Sequence, residues 1–120
     1  MIESHELTHK IAQILYKKGA NDIRILKVDH MTSVTDYFVI ANGRNIQAVH
    51  TLAEDLEDQL AAEGISPRRK DGYREARWIV LDYAEVIVHI FHPEERQFYN
   101  IERLWDDGTN NIPFRPETEA

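Results

Sequence analysis

The chain contains no cysteine, so it has no disulfide framework, no thiolate zinc site and no cysteine nucleophile. It also lacks any stretch approaching the roughly 18 consecutive apolar residues that a membrane helix needs. Its opening, Met1-Ile2-Glu3-Ser4-His5-Glu6, carries acids where a signal peptide carries lysine or arginine, and no apolar run follows. The expected location is therefore cytoplasmic, or an organelle matrix after loss of a transit peptide. Positive charge is scarce as well. Fourteen Lys and Arg stand against 21 Asp and Glu, a net charge of −7 with His neutral. That sign argues against a general electrostatic grip on bare nucleic acid. It permits a basic protein partner, or a small patch opposed to the overall field. Walker loops, Gly-x-Gly-x-x-Gly and Gly-x-Ser-x-Gly strings are all missing.

What is present fits one domain, since 120 residues leave no room for a second core. Leu7, Ile11, Ile14 and Leu15 recur on one helical face. Ser4 is the expected N-cap, and Lys17-Lys18-Gly19 the expected end. Ile23 to Val28 reads as a strand of mixed polarity near an edge. Tyr37-Phe38-Val39-Ile40-Ala41 is continuously apolar, as a strand covered on both faces should be. Asn45 caps a long helix with the core stripe Val49, Leu52, Ala53, Leu56 and Leu60, closed by Gly64. Glu54, Asp55, Glu57 and Asp58 form its solvated acidic face.

Ser66 to Arg77 is a basic exception, expected as a loop or irregular edge strand around Asp71-Gly72. Its Arg68, Arg69 and Lys70 are candidates for a minor RNA contact. Trp78–Tyr83 and Val86–Phe91, separated only by Ala84-Glu85, predict a hairpin. Pro93, Glu94 and Glu95 open a last helix that turns Phe98, Ile101 and Trp105 inward and stops at Gly108. Residues 109–120 read as a loose tail, leaving 1–108 as the domain. The fold class is α/β: a mixed sheet of about five strands packed by helices.

Three groups invite a chemical reading. His5-Glu6-Leu7-Thr8-His9 matches His-Glu-x-x-His of zinc proteases. Both histidines, however, fall roughly 140° and 180° from the core stripe, so they are expected in solvent and without metal. His89 and His92, with Glu94 nearby, lie three apart along a strand and so face opposite sides. A strand histidine and a helix cap are the simpler roles. Asn42-Gly43-Arg44-Asn45 links a strand to a helix, where amides can meet an anion, but such a link is more often just a turn and cap.

The hairpin is more informative. A two-residue turn pairs Trp78 with Phe91, Val80 with His89 and Asp82 with Ile87. One face then holds Ile79, Leu81, Tyr83, Val86, Val88 and Ile90, which is core. The other holds Trp78, Val80, Asp82, Ile87, His89 and Phe91, where a carboxylate and an imidazole sit among large rings. Either a helix covers this face, or part of it stays open as a protein-binding patch with an aromatic anchor beside a charge.

Thr35-Asp36-Tyr37-Phe38-Val39-Ile40, Asn42-Gly43, the hairpin strands Trp78–Tyr83 and Val86–Phe91, and the Tyr99…Leu104-Trp105 helix together resemble the Iojap-like ribosomal silencing factors. The likeness runs from about His5 to Gly108. It implies a non-enzymatic factor on a nucleotidyltransferase-like fold without the catalytic motif. It further implies docking on ribosomal protein L-fourteen of the large ribosomal subunit, exclusion of the small subunit, and lowered translation when nutrients are short. Organelle members imply the alternative of large-subunit assembly. The candidate docking set is Trp78, Val80, Asp82, Tyr83 and His89, with Asp36 and Tyr37 as additional contacts. No catalytic residue, metal or cofactor is expected. The sequence leaves open whether the free protein is a monomer or a homodimer.

Two features depart from the family pattern. Ala84-Glu85 replaces the usual Gly-Asp at the hairpin turn, and alanine resists the positive φ of a tight turn. Asn45 replaces a Ser or Thr cap, which preserves the capping. A nucleotidyltransferase would need an Asp-x-Asp pair behind a Gly-Ser loop. Neither string occurs.

Overall fold

In the computed structural model, which describes residues 2–117, the continuously apolar run becomes the centre of the sheet. The elements are α1 (Ser4–Lys17), β1 (Asn21–Lys27), β2 (Tyr37–Asn42), α2 (Ile46–Ala61), β3 (Arg69–Asp71), β4 (Trp78–Asp82), β5 (Val86–Phe91), α3 (Pro93–Tyr99), α4 (Ile101–Trp105) and β6 (Asn111–Ile112). They build a six-stranded sheet in the order β3-β4-β5-β2-β1-β6. β2 pairs with β5 in parallel, and every other pair is antiparallel. All six β2 residues are buried, because a parallel pair at mid-sheet is covered on both sides.

Helices α1 and α2 cover one face. Leu7, Ile11 and Leu15 of α1 and Val49, Leu52, Leu56 and Leu60 of α2 meet Val39, Ile79, Leu81, Val88 and Ile90 of the strands. The opposite face carries a smaller core of Leu26, Val28, Phe38, Ile40, Phe91 and Ile101, with Trp78, Ile87 and Trp105 at its margin. Asn45 Oδ1 accepts the Ala48 N–H at 2.8 Å, so the expected cap of α2 forms.

Four local expectations are corrected. Glu3 occupies the N-cap of α1 without a side-chain bond, while Ser4 is already helical and its carbonyl accepts from Thr8 Oγ1 at 2.7 Å. The last helix breaks in two at Asn100, which adopts φ +44. The break turns Phe98 outward, leaving it 81% exposed, while Ile101 stays buried. The C-terminal stretch is not wholly loose. Asn111–Ile112 adds a sixth strand on β1, and Phe114 packs on the larger core. Finally, the acidic face of α2 is partly engaged by neighbouring side chains. Lys70 reaches Glu57 at 3.3 Å and His50 reaches Glu54 at 3.0 Å.

Candidate functional site

The hairpin register is the expected one: Trp78 opposite Phe91, Val80 opposite His89 and Asp82 opposite Ile87. Its turn is unusual. Ala84 takes φ +73, and the Glu85 N–H donates to the Tyr83 carbonyl at 3.0 Å. That bond closes a three-residue γ-turn, a strained form for an L-residue. Asp82 holds it in place. Its Oδ1 accepts the Ala84 N–H at 2.8 Å and the Arg68 Nε–H at 3.1 Å. The candidate anion of the docking face is therefore a turn brace already paired with a cation, not an uncommitted charge.

Trp78 is half-buried. Its indole stacks on Phe91 at 4.9 Å between centroids and meets Tyr99 at 4.9 Å. Its Nε1–H donates to His89 Nδ1 at 3.1 Å. His89 is only 8% exposed, so it acts behind Trp78 and does not itself reach the surface. Burial holds the imidazole pKa down to about 4, which keeps it neutral and keeps Nδ1 an acceptor. Its Nε2 is buried without a hydrogen-bond partner. Phe38 meets the same ring edge-on at 4.9 Å.

The other candidates divide by strand parity. Val80 and Ile87 remain partly exposed on the face of Trp78. Tyr83 and Tyr37 are buried in the larger core on the helix-covered side, so neither is open to a partner. Desolvation, with Glu57 second, raises the Tyr83 pKa. Asp36 is half-buried beside the turn, where its N–H donates to the Glu85 carbonyl at 3.0 Å. Of the basic stretch, Arg68 pairs with Asp82 and Lys70 with Glu57, and Lys70 also lies over the Tyr73 ring at 5.3 Å.

The histidine motifs resolve plainly. The rings of His5 and His9 lie 4.6 Å apart. His5 is exposed, and His9 is half-buried with its pKa lowered by burial and by His5. Among the described residues the pair belongs to no group of three potential metal ligands; the one such group is His92, Glu94 and Glu95. In that group His92 Nδ1 accepts the Glu94 N–H at 3.2 Å, which makes it a helix cap. Arg77 occupies both oxygens of Glu95 through Nε at 2.6 Å and Nη2 at 2.8 Å.

Sequence periodicity missed one feature of this face, the exposed aromatic pair on α3. Asn100 was the available signal, since asparagine tolerates the left-handed conformation that ends a helix.

The family model for "Ribosomal silencing factor during starvation" matches residues 1–120. Ribosomal silencing factor RsfS of Bacillus subtilis is 40% identical over 91 residues, covering 76% of this chain and 77% of that protein. RsfS of Halalkalibacterium halodurans is 32% identical over 107 residues, covering 89% and 92%. The mouse protein named mitochondrial assembly of ribosomal large subunit protein 1 is 26% identical, and this chain covers 43% of it. A crystal structure from Bacillus halodurans superposes with a TM-score of 0.81 at 30% identity, over 92% of this chain and 99% of that one. A factor that silences the ribosome is what these family names describe. With the family model matched from end to end and these identities beside it, the chain belongs to the ribosomal silencing factor family.

Proposed function

We propose that the protein docks on ribosomal protein L-fourteen of the large ribosomal subunit through the half-open face of β4 and β5. By occupying the surface where the small subunit joins, it would block subunit association and so repress translation under nutrient limitation. The observation that carries this reading is Trp78. An indole held between Phe91 and Tyr99, with its N–H committed to a neutral His89, is a rigid half-exposed anchor of the kind that dominates interface energetics. Val80 and Ile87 flank it as partly exposed apolar surface. The net charge of −7 favours encounter with a basic ribosomal protein. An RNA contact through the basic stretch is secondary, because Arg68 and Lys70 already have carboxylate partners.

Within this reading Trp78 and Val80 touch the partner, His89 positions Trp78, and Asp82 shapes the turn. Adding the purified protein to separated ribosomal subunits should lower the reassociated fraction and saturate near one molecule per large subunit. Inhibition at far substoichiometric amounts would mean catalytic turnover and would sink the steric mechanism.

A further inference from the structure

Helix α3 has no buried residue, and at seven residues it is too short to hold itself together. Polar ties fix it instead. His92 caps its start, Arg77 forks onto Glu95, and Arg96 donates to Asn42 Oδ1 at 2.7 Å and to Glu102 Oε2 at 3.2 Å. The result is an anchored helix whose large rings face outward. Phe98 is 81% exposed, Tyr99 is 51% exposed, and Phe98 meets Tyr99 edge-on at 5.0 Å. Tyr99 in turn touches Trp78, so the aromatic surface continues directly from the hairpin face.

Beside Trp78 and Tyr99 opens a groove of about 390 Å³, whose other walls are Gly72, Arg74, Glu75, Arg77 and Glu95. Gly72 sits at φ +89, and a Cβ there would collide with the Trp78 carbonyl. The Trp78 ring is taken up by Phe91 and Tyr99 and its N–H by His89, so the π surface left open on this side is that of Tyr99 and Phe98. Arg77 is shared between Glu95 at 2.6 Å and Glu94 at 3.4 Å, and with Glu75 and Arg74 also in the wall three carboxylates stand against two cations here. Aromatic faces with carboxylates beside them attract a cation, and the aliphatic stem of a lysine or arginine covers apolar surface such as Phe98. A stacked RNA base would instead need a positive field, which a chain of net charge −7 opposes.

We propose that Phe98 and Tyr99, with Trp78 beside them, form an aromatic shelf that receives a lysine or arginine side chain from a basic protein segment of the ribosomal partner. The proposal rests on the hairpin docking reading and adds a second contact to it. The test measures binding of purified large ribosomal subunits to the full chain and to three variants, with melting and sedimentation of each free protein. Phe98→Ser combined with Tyr99→Ser should weaken binding by about 10- to 100-fold while melting stays near the parent, since neither side chain is buried. Glu75→Lys should weaken it by about tenfold and flatten its salt dependence. Val80→Lys probes the hairpin face alone. If Val80→Lys loses binding while the serine variant binds like the parent, the shelf is wrong and the hairpin reading stands. If neither substitution matters, the hairpin reading falls as well. Tighter binding by Glu75→Lys would mean an anionic occupant and would overturn the proposal. So would a parent dimer that the serine variant converts to a monomer with subunit binding intact.

Discussion

Ala84 carries the most strained backbone of the hairpin, at φ +73, and Asp82 is the side chain that holds it there. Glycine adopts this conformation without a Cβ penalty of roughly 1 kcal/mol, although it loses some of that gain through a freer unfolded chain. Ala84→Gly should therefore stabilise the protein by about 0.5–1 kcal/mol, read as a higher urea midpoint at unchanged slope. His89 makes a second residue-level prediction. Its folded pKa is depressed to about 4 by burial, so below the ordinary histidine value of about 6.5 the unfolded chain binds a proton that the folded chain refuses. Stability should fall as pH drops from 6.5 towards 4, by roughly 3 kcal/mol in all. His89→Asn should remove that part of the pH profile, and a profile unchanged by the substitution would refute it.

At the level of elements, short segments are held by polar clasps more than by apolar burial. The clearest joins the β1–β2 loop to the turn before β6. His30 Nε2 lies 2.7 Å from Asp107 Oδ2, and Asn110 Nδ2 donates to the carbonyls of Lys27 and Trp105 at 2.9 and 2.8 Å. The hydrogen bond to Asp107 raises the His30 pKa. Asp107 is held down at about 2, chiefly by the Thr109 N–H and then by His30. A raised histidine pKa contributes stability that is fully present below about 6.5 and lost as pH rises through the raised value. His30→Ala should therefore lower the melting temperature at pH 6 and leave it nearly unchanged at pH 8.5. Amide exchange in residues 108–112 should accelerate in the same window.

Across the whole molecule, the two faces of the sheet are used differently. One is sealed by α1 and α2 over a large continuous core. The other is closed only in part by α4, leaving Trp78, Val80 and Ile87 at its margin. That asymmetry gives an acidic domain an apolar surface to present, bordered by the aromatic rings of α3 and by the turn at Ala84. The proposed docking and the proposed cation shelf occupy one side of the molecule for this reason.

The sequence by itself determined the helical stripes of α1 and α2, the strand Tyr37–Ala41 buried on both faces and the hairpin with its register. In each, a repeating apolar pattern of period 3.6 or 2, or an unbroken apolar run, leaves one arrangement that buries the set. The resemblance at Trp78–Phe91 was legible for the same reason: it lies in a regular strand pair. Other features were decided only by tertiary structure. Strand parity already puts Tyr83 on the core face, against its place in the docking set that the resemblance implied, whereas the burial of His89 depends on what covers the other face. Asp82 reads equally as a satisfied carboxylate and as an open charge until Arg68, just before β3, and the Ala84 N–H are seen to take it. Phe98 fits an inward helical stripe until Asn100 turns left-handed and rotates the rest of the helix away from it. Asn111 and Ile112 carry no periodicity at all, because a two-residue strand exists only where β1 offers an unpaired edge.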